Sequence, residues 1–181
     1  GVPAAGAAEA GPAMVPVPRD GSPLPLSFAQ QRLWVIEQIR PGTASYNVFS
    51  ALRLRGPLNV GVLERGLGEI VRRHEALRTT LRVVDDVPAQ HVAPAGEVRI
   101  PREDLSGFAG EALEAQVKRR VHEEVRLPFD LARGPLFRTR LLRLGAEEHV
   151  LLLTMHHVVT DGWSTGVFFR ELSALYGAYL D

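Results

Sequence analysis

The six residues Val150-Leu151-Leu152-Leu153-Thr154-Met155 constrain the fold more than any other stretch of the chain. Apolar side chains fall at odd and even positions alike, the run is too short for a helix, and polar residues bound it. That is the pattern of a strand buried on both faces, which needs structure above and below it. Two histidines follow, His156 and His157, and then Val158-Val159-Thr160-Asp161-Gly162-Trp163-Ser164. Neighbours in a strand point to opposite faces, so His156 goes with Leu152 and Thr154, and His157 with Leu153 and Met155.

An apolar strand that ends in adjacent histidines, an acid and a glycine is placed to deliver a base to a site. A lone histidine beside apolar residues is more often a satisfied core group; the pair and the Asp-Gly after it shift the balance toward function. Opposite-facing imidazoles cannot ligate one ion, and a chain without cysteine has no thiolate to complete a set, so no metal is expected. Ser164 lacks the Gly-x-Ser-x-Gly elbow of a nucleophilic serine. What remains is a histidine that takes a proton, or one that donates a hydrogen bond to a developing charge.

With 181 residues the chain can bury a sizeable core and fits one domain or one lobe. Lys plus Arg and Asp plus Glu are 21 each, so there is no field to steer toward nucleic acid or an anionic membrane. No apolar run approaches the roughly 18 residues of a membrane helix, and the start lacks the basic and leucine-rich segments of a secretory signal. The expectation by elimination is a soluble, cytoplasmic protein with no nucleic-acid and no membrane partner. Residues 1–22 are mostly Gly, Ala and Pro and read as a flexible interdomain linker, since they cannot bury enough surface to offset their ordering entropy.

From residue 23 onward helices and strands alternate. Ser27 and Gln30 form a Ser-x-x-Gln capping box for a helix that runs to about Ile39 and stops before Pro41-Gly42. A strand over Tyr46–Leu54 follows, then a helix capped by Asn59 with Leu63, Leu67, Ile70 and Val71 on one stripe. His74 falls near the buried end of that helix and reads as structural. A hairpin is expected around Asp85-Asp86, with His91 on its surface. Residues 93–107 read as a polar connection. Phe108 to about Arg126 is an amphipathic helix in which Glu114 with Lys118, Arg119 with Glu123 and Arg120 with Glu124 are spaced to pair on a solvated face, His122 among them. Leu136–Leu144 alternates as a strand, and Glu147-Glu148 turns it back, antiparallel, into the histidine-bearing strand. Ser164 is a candidate cap for a last helix with Phe168, Leu172, Leu175 and Tyr179 on one face.

His156-His157-Val158-Val159-Thr160-Asp161-Gly162 resembles the HHxxxDG signature of the condensation domains of nonribosomal peptide synthetases, shared with chloramphenicol acetyltransferase and related acyltransferases. Ser27-Phe28-Ala29-Gln30-Gln31-Arg32-Leu33-Trp34 and Arg73-His74-Glu75-Ala76-Leu77-Arg78-Thr79-Thr80-Leu81 resemble two further motifs of that family, in its order. The resemblance spans about Leu24 to Asp181, and the motifs of the family's second lobe do not occur. It therefore implies an α/β fold: a chloramphenicol acetyltransferase-like lobe with a mixed β-sheet and helices packed on it. Residues 23–181 would be the N-terminal lobe of a V-shaped, two-lobed domain.

That resemblance also implies amide-bond formation between an acyl or peptidyl group and an aminoacyl group. Each is carried as a phosphopantetheine thioester by a donor or an acceptor carrier protein, with no cofactor bound by the domain itself. His157 is the implied catalytic residue, as base, positioner or stabiliser of the tetrahedral intermediate, with His156 supporting. The form His-His-Val-Val-Thr-Asp-Gly-Trp-Ser is nearest to domains joining two L-configured residues; a heterocyclising relative would carry aspartate at the first histidine. The alternatives are an ester-forming acyltransferase, an epimerisation domain, or a non-catalytic platform recruiting a carrier or tailoring protein. A lobe without its partner is expected to be inactive and open to self-association.

Around the site, Gly162 either spares room for a pantetheine arm or allows a turn, and Trp163 is expected to pack. Asp161 at the mouth of a buried strand would need a cation. Arg73 is the expected bidentate partner, with Arg78 and then Arg32 as the next choices.

Overall fold

The structure, a computed structural model, describes residues 15–18, 20 and 22–181. The expected linker lies mostly outside the described residues. In chain order the elements are β1 (Leu24–Pro25), α1 (Phe28–Ile39), β2 (Asn47–Arg55), α2 (Val60–Arg73), a 3-10 turn (Glu75–Arg78), β3 (Thr79–Val84), β4 (Val87–Val92), β5 (Arg102–Asp104), α3 (Gly110–Arg126), β6 (Phe137–Arg143), β7 (Glu148–His156) and α4 (Gly162–Leu180).

β7 lies inside a four-stranded sheet of order β2-β7-β6-β5, antiparallel to β2 and β6, while β5 runs parallel to β6. From His149 to His156 every residue of β7 is buried. Leu151, Leu153 and Met155 meet the apolar stripes of α2 and α4 on one face, where Leu67, Ile70, Phe168 and Leu172 close the core. Val150 and Leu152 meet Val117 of α3 on the other. Both faces are covered, as the unbroken apolar run requires.

A second sheet of order β1-β4-β3 is built on the hairpin, whose turn residues Asp85 and Asp86 hold positive φ of 48° and 61°. A third core joins this sheet and α1 to the loop beyond β7: Leu26, Leu33, Leu81, Phe129, Leu131 and Leu136 enclose Val158 and Val159. That cluster pins the loop after the histidines from behind. The turn before Leu136 depends on Gly134, at φ 52°, where an added Cβ would stand 2.6 Å from Thr80 Cγ2.

The caps form where the sequence places them. Ser27 Oγ accepts from Gln30 N–H (3.2 Å) while Gln30 Oε1 accepts from Ser27 N–H (2.9 Å), and Asn59 Oδ1 accepts from Val62 N–H (3.1 Å). Two expectations are corrected. The stretch 93–107 contains β5, beside which the Pro101 carbonyl accepts from Leu141 N–H (2.9 Å) and whose Asp104 takes Arg143 (2.8 Å). Three residues are too few to show a period. The charged side of α3 is also less free than expected: Arg119 reaches Glu123 (3.9 Å), but Glu114 takes Arg53 of β2 (2.6 Å), Arg120 reaches Glu103 of β5, and Glu124 is buried. No helix among the described residues is long and apolar enough to cross a membrane.

Candidate active site

Both neighbouring strands hold the end of β7. His156 N–H donates to Leu136 O (2.9 Å) on one side, and His157 N–H donates to Tyr46 O (2.8 Å) on the other. The chain then turns, with Val159 N–H returning to His156 O (3.0 Å). The two imidazoles leave this point in opposite directions, as strand alternation requires.

His156 is 2% exposed. Its Nδ1 accepts from Val158 N–H (3.1 Å), so the neutral ring carries its proton on Nε2. Phe129 meets it edge-on, with centroids 6.1 Å apart, and Tyr46 flanks it. Burial, and secondarily the neighbouring His157, pulls its pKa down to about 4, so it is neutral at physiological pH. Phe129 is itself held by the Arg138 guanidinium, stacked 3.8 Å from its ring centroid. Arg138 also donates to the Glu124 carboxylate (2.9 Å) and to the carbonyls of Leu127 (2.7 Å) and Pro128 (3.0 Å). Asn47 Nδ2 donates to Val125 O and Leu127 O, 2.9 Å each. The C-terminal end of α3 is thereby tied to β2 and β6, and Arg138 links it to the Phe129 ring that packs on His156.

His157 is exposed. Its Nδ1 lies 2.7 Å from Thr160 O, a carbonyl that can only accept, so Nδ1 carries a proton and in the neutral ring Nε2 is the nitrogen with the lone pair. The four-residue turn thus fixes both the tautomer and the ring direction. The first histidine is a neutral packing group; the second is an oriented imidazole at the surface.

Residues 22–181 match the family model for the condensation domain. The chain belongs to the condensation-domain family. It is 46% identical over 164 residues to a linear gramicidin synthase of Brevibacillus parabrevis, covering 91% of this chain and 2% of that protein. It is 42% identical over 167 residues to a phosphinothricin tripeptide synthetase of Streptomyces viridochromogenes, covering 92% of this chain and 15% of the relative. Among solved structures, the first condensation domain of the CDA synthetase superposes with a TM-score of 0.79 at 27% identity, covering 90% of this chain and 42% of that one. The X-domain from teicoplanin biosynthesis superposes with a TM-score of 0.80 at 36% identity, covering 93% and 35%. The chain therefore spans a small part of these curated relatives, and the fold covers roughly one lobe of the solved domains.

Within this condensation-domain lobe the remaining candidates fall into place, several of them not as expected. Among the described residues Asp161 meets no arginine. It is exposed and caps α4, its Oδ1 accepting from Ser164 N–H (2.7 Å), and that bond, with a smaller contribution from His157, holds its carboxyl below the usual range. Ser164 is thus the donor to the cap and not the cap itself. Arg73 is taken by Glu69 (2.6 Å), which Arg72 also binds (2.7 Å); the two arginines push the Glu69 pKa down to about 2. Arg78 donates to Ala93 O and approaches Glu75 at 3.5 Å, and Arg32 is exposed on α1. The reason is plain: a carboxylate at a helix N-terminus in water is satisfied by backbone N–H groups and needs no buried cation.

Gly162 begins α4 with no left-handed φ, so the turn does not require a glycine there. A Cβ at this position would meet nothing within 4 Å. Trp163, expected to pack, is 81% exposed beside the turn. His74 pairs with Glu171 of α4 (2.8 Å), its side chain 41% exposed and less buried than expected. The sequence assigns no role to two contributors: Thr160, whose carbonyl orients His157, and the Arg138–Phe129 stack behind His156. Backbone acceptors leave no mark in a sequence, and Pro128-Phe129-Asp130-Leu131 carries no period of its own.

Proposed function

We propose that this lobe works within a two-lobed condensation domain, residues 23–181 forming its N-terminal lobe, and joins two carrier-bound thioesters by an amide bond. The single observation that carries the reading is that His157 is exposed with its Nδ1 held by Thr160 O, which leaves Nε2 as the free nitrogen of the neutral ring. The amine of an aminoacyl thioester attacks the carbonyl carbon of the donor thioester. A C–N bond forms, the tetrahedral intermediate collapses, and the C–S bond breaks to release the pantetheine thiol. His157 Nε2 hydrogen-bonds the amine, takes the proton it sheds and returns one to the departing sulfur. His156, neutral and buried, keeps the strand end rigid. Asp161 contributes by starting α4 where it does.

The substrates arrive on phosphopantetheine arms of a donor and an acceptor carrier protein, and the domain itself needs no metal or bound cofactor. Open space over Gly162 is consistent with an arm passing there. The HHVVTDGWS form supports joining of two L-configured residues, with residues 1–22 as linker to a preceding domain. In the complete domain, His157→Ala should lower dipeptide formation on paired carriers by about 100-fold to 10,000-fold. Unchanged dipeptide formation would remove His157 from the mechanism.

A second reading rests on one observation. The X-domain, 36% identical, is also among the solved structures as a complex with OxyB. A recruitment platform of that kind would leave dipeptide formation indifferent to His157→Ala.

A further inference from the structure

β6 is paired along only part of its outer edge. The bond from His156 N–H to Leu136 O (2.9 Å) sets the alternation, so Arg138, Arg140 and Leu142 turn their backbone groups to β7. Phe137, Thr139, Leu141 and Arg143 therefore face outward. The β5 side takes the last two: Leu141 N–H donates to Pro101 O (2.9 Å), and Leu105 N–H to Arg143 O (2.8 Å). The next rung of this parallel ladder would run from the N–H of residue 101 to Thr139 O, and Pro101 has no N–H. The ladder stops there. Among the described residues the outward N–H and C=O groups of Phe137 and Thr139 have no hydrogen-bond partner.

A cavity of about 580 Å3 lies along this open edge and is lined by both residues. Its two sides differ in chemistry. On the core face Phe137 is joined by the buried Val71 and Leu77; on the α3 face stand Arg138 and Arg140, beside Glu124. Six arginines and two glutamates line the cavity, so its field is positive. Both glutamates are engaged, Glu97 by Arg99 and Glu124 by Arg138. Two of the arginines have capacity left. Arg78 Nε is buried without a partner among the described residues. Arg140 makes no hydrogen bond among them, and the carboxylates of Glu103 and Glu124 each stand 3.9 Å away. We infer that this open edge is a docking groove for an extended segment of another polypeptide in which apolar and acidic residues alternate. An added strand satisfies the outward groups of Phe137 and Thr139, as strand addition does at an exposed sheet edge. Its side chains point to alternate faces. One set meets Val71 and Leu77; the other meets Arg140, whose planar guanidinium can take a carboxylate in two parallel hydrogen bonds. A cationic residue at those positions would face like charge.

The probe is a fluorescein-labelled Val-Glu-Val-Glu-Val peptide, titrated into the complete two-lobed domain and followed by anisotropy. It should bind saturably, and a Val-Lys-Val-Lys-Val peptide should bind about tenfold more weakly or worse. N-methylation of the three valines, or of the two glutamates, blocks one or the other set of backbone donors. One of these two peptides should lose about tenfold in affinity and the other little, because only one set faces β6. Arg140→Gln should weaken the acidic peptide by about tenfold, while His157→Ala should leave its affinity unchanged. In hydrogen exchange the amides of Phe137 and Thr139 should gain protection on binding, and those of Arg138 and Arg140, already bonded to β7, should not. Absence of saturable binding would overturn the inference. So would equal affinity for the acidic and lysine peptides, an Arg140→Gln variant that binds as wild type does, or unchanged exchange at Phe137 and Thr139. Displacement of the peptide by an equal concentration of glutarate would mark a cavity for small anions, and would overturn it too.

Discussion

His156 and His157 share a peptide bond and almost nothing else, and substitutions should separate them. His157 is exposed, so His157→Ala should leave thermal stability near wild type while removing activity. His156→Ala would open a cavity beside Phe129 and strand the Val158 N–H, costing about 2–4 kcal/mol in chemical unfolding. The pKa of about 4 makes a further prediction. The unfolded imidazole titrates near 6.5; between the two values the unfolded chain binds more protons, so burying a neutral His156 stabilises fully above about pH 6.5. That contribution should fall as the pH drops from about 6.5 toward 4, by about 3 kcal/mol in all. Urea unfolding from pH 7.5 to 4 would show the step in wild type and its absence in His156→Phe; parallel profiles would mean that the ring is not held neutral. Gly162 tests the space above α4: Gly162→Ala meets no atom within 4 Å and should hold or slightly raise the melting temperature. If an arm passes there, dipeptide formation falls all the same; unchanged turnover would show that the space is not used.

At the level of elements, the support for the histidines comes from α3 and β6, and it hinges on one ion pair. The Glu124 side chain is 4% exposed and Arg138 25%, so removing either partner leaves a charge with little water. Arg138→Met should cost up to about 3–5 kcal/mol, because Phe129 and the Pro128 carbonyl lose their partner while Glu124 keeps only Arg140, at 3.9 Å, and the Leu127 carbonyl only Asn47. Arg138→Met combined with Glu124→Gln should cost clearly less than the two single changes summed, and additive losses in urea melts would show that the pair is not coupled. This support was hard to read from sequence for a physical reason. Arg120 and Glu124 sit four apart on a helix, which suggests a mutual surface pair; their partners on β5 and β6 are distant in sequence and visible only once the sheet exists. The same limit hid β5. Elements with their own period were legible: β7 from its apolar run, β6 from its alternation, and α2 and α4 from stripes that are buried as expected. Asp161 failed differently: a buried carboxylate would have needed a cation, whereas this one lies in water, where its local cap is enough.

At the scale of the whole molecule, the site is a surface and not a chamber. His157 is exposed, Trp163 at the start of α4 is 81% exposed, and α1 presents Phe28 at 90% and Ile39 at 72%. A reaction between two tethered groups needs both held at once, and alignment of that kind supplies about 7–11 kcal/mol of a barrier. One wall cannot supply it, and water at Nε2 would compete for the lone pair. The 181-residue chain by itself should therefore form no dipeptide at a useful rate from loaded donor and acceptor carriers, while the same residues within a two-lobed domain should. If copies of the chain associate, the exposed Phe28 and Ile39 are the expected contacts. Sedimentation should show a mass that rises with concentration, and Phe28→Ser with Ile39→Ser on α1 should reduce that rise without changing the fold seen by circular dichroism. Dipeptide formation by the 181 residues alone, at a rate comparable to a two-lobed domain and abolished by His157→Ala, would show that this single wall is the whole active site.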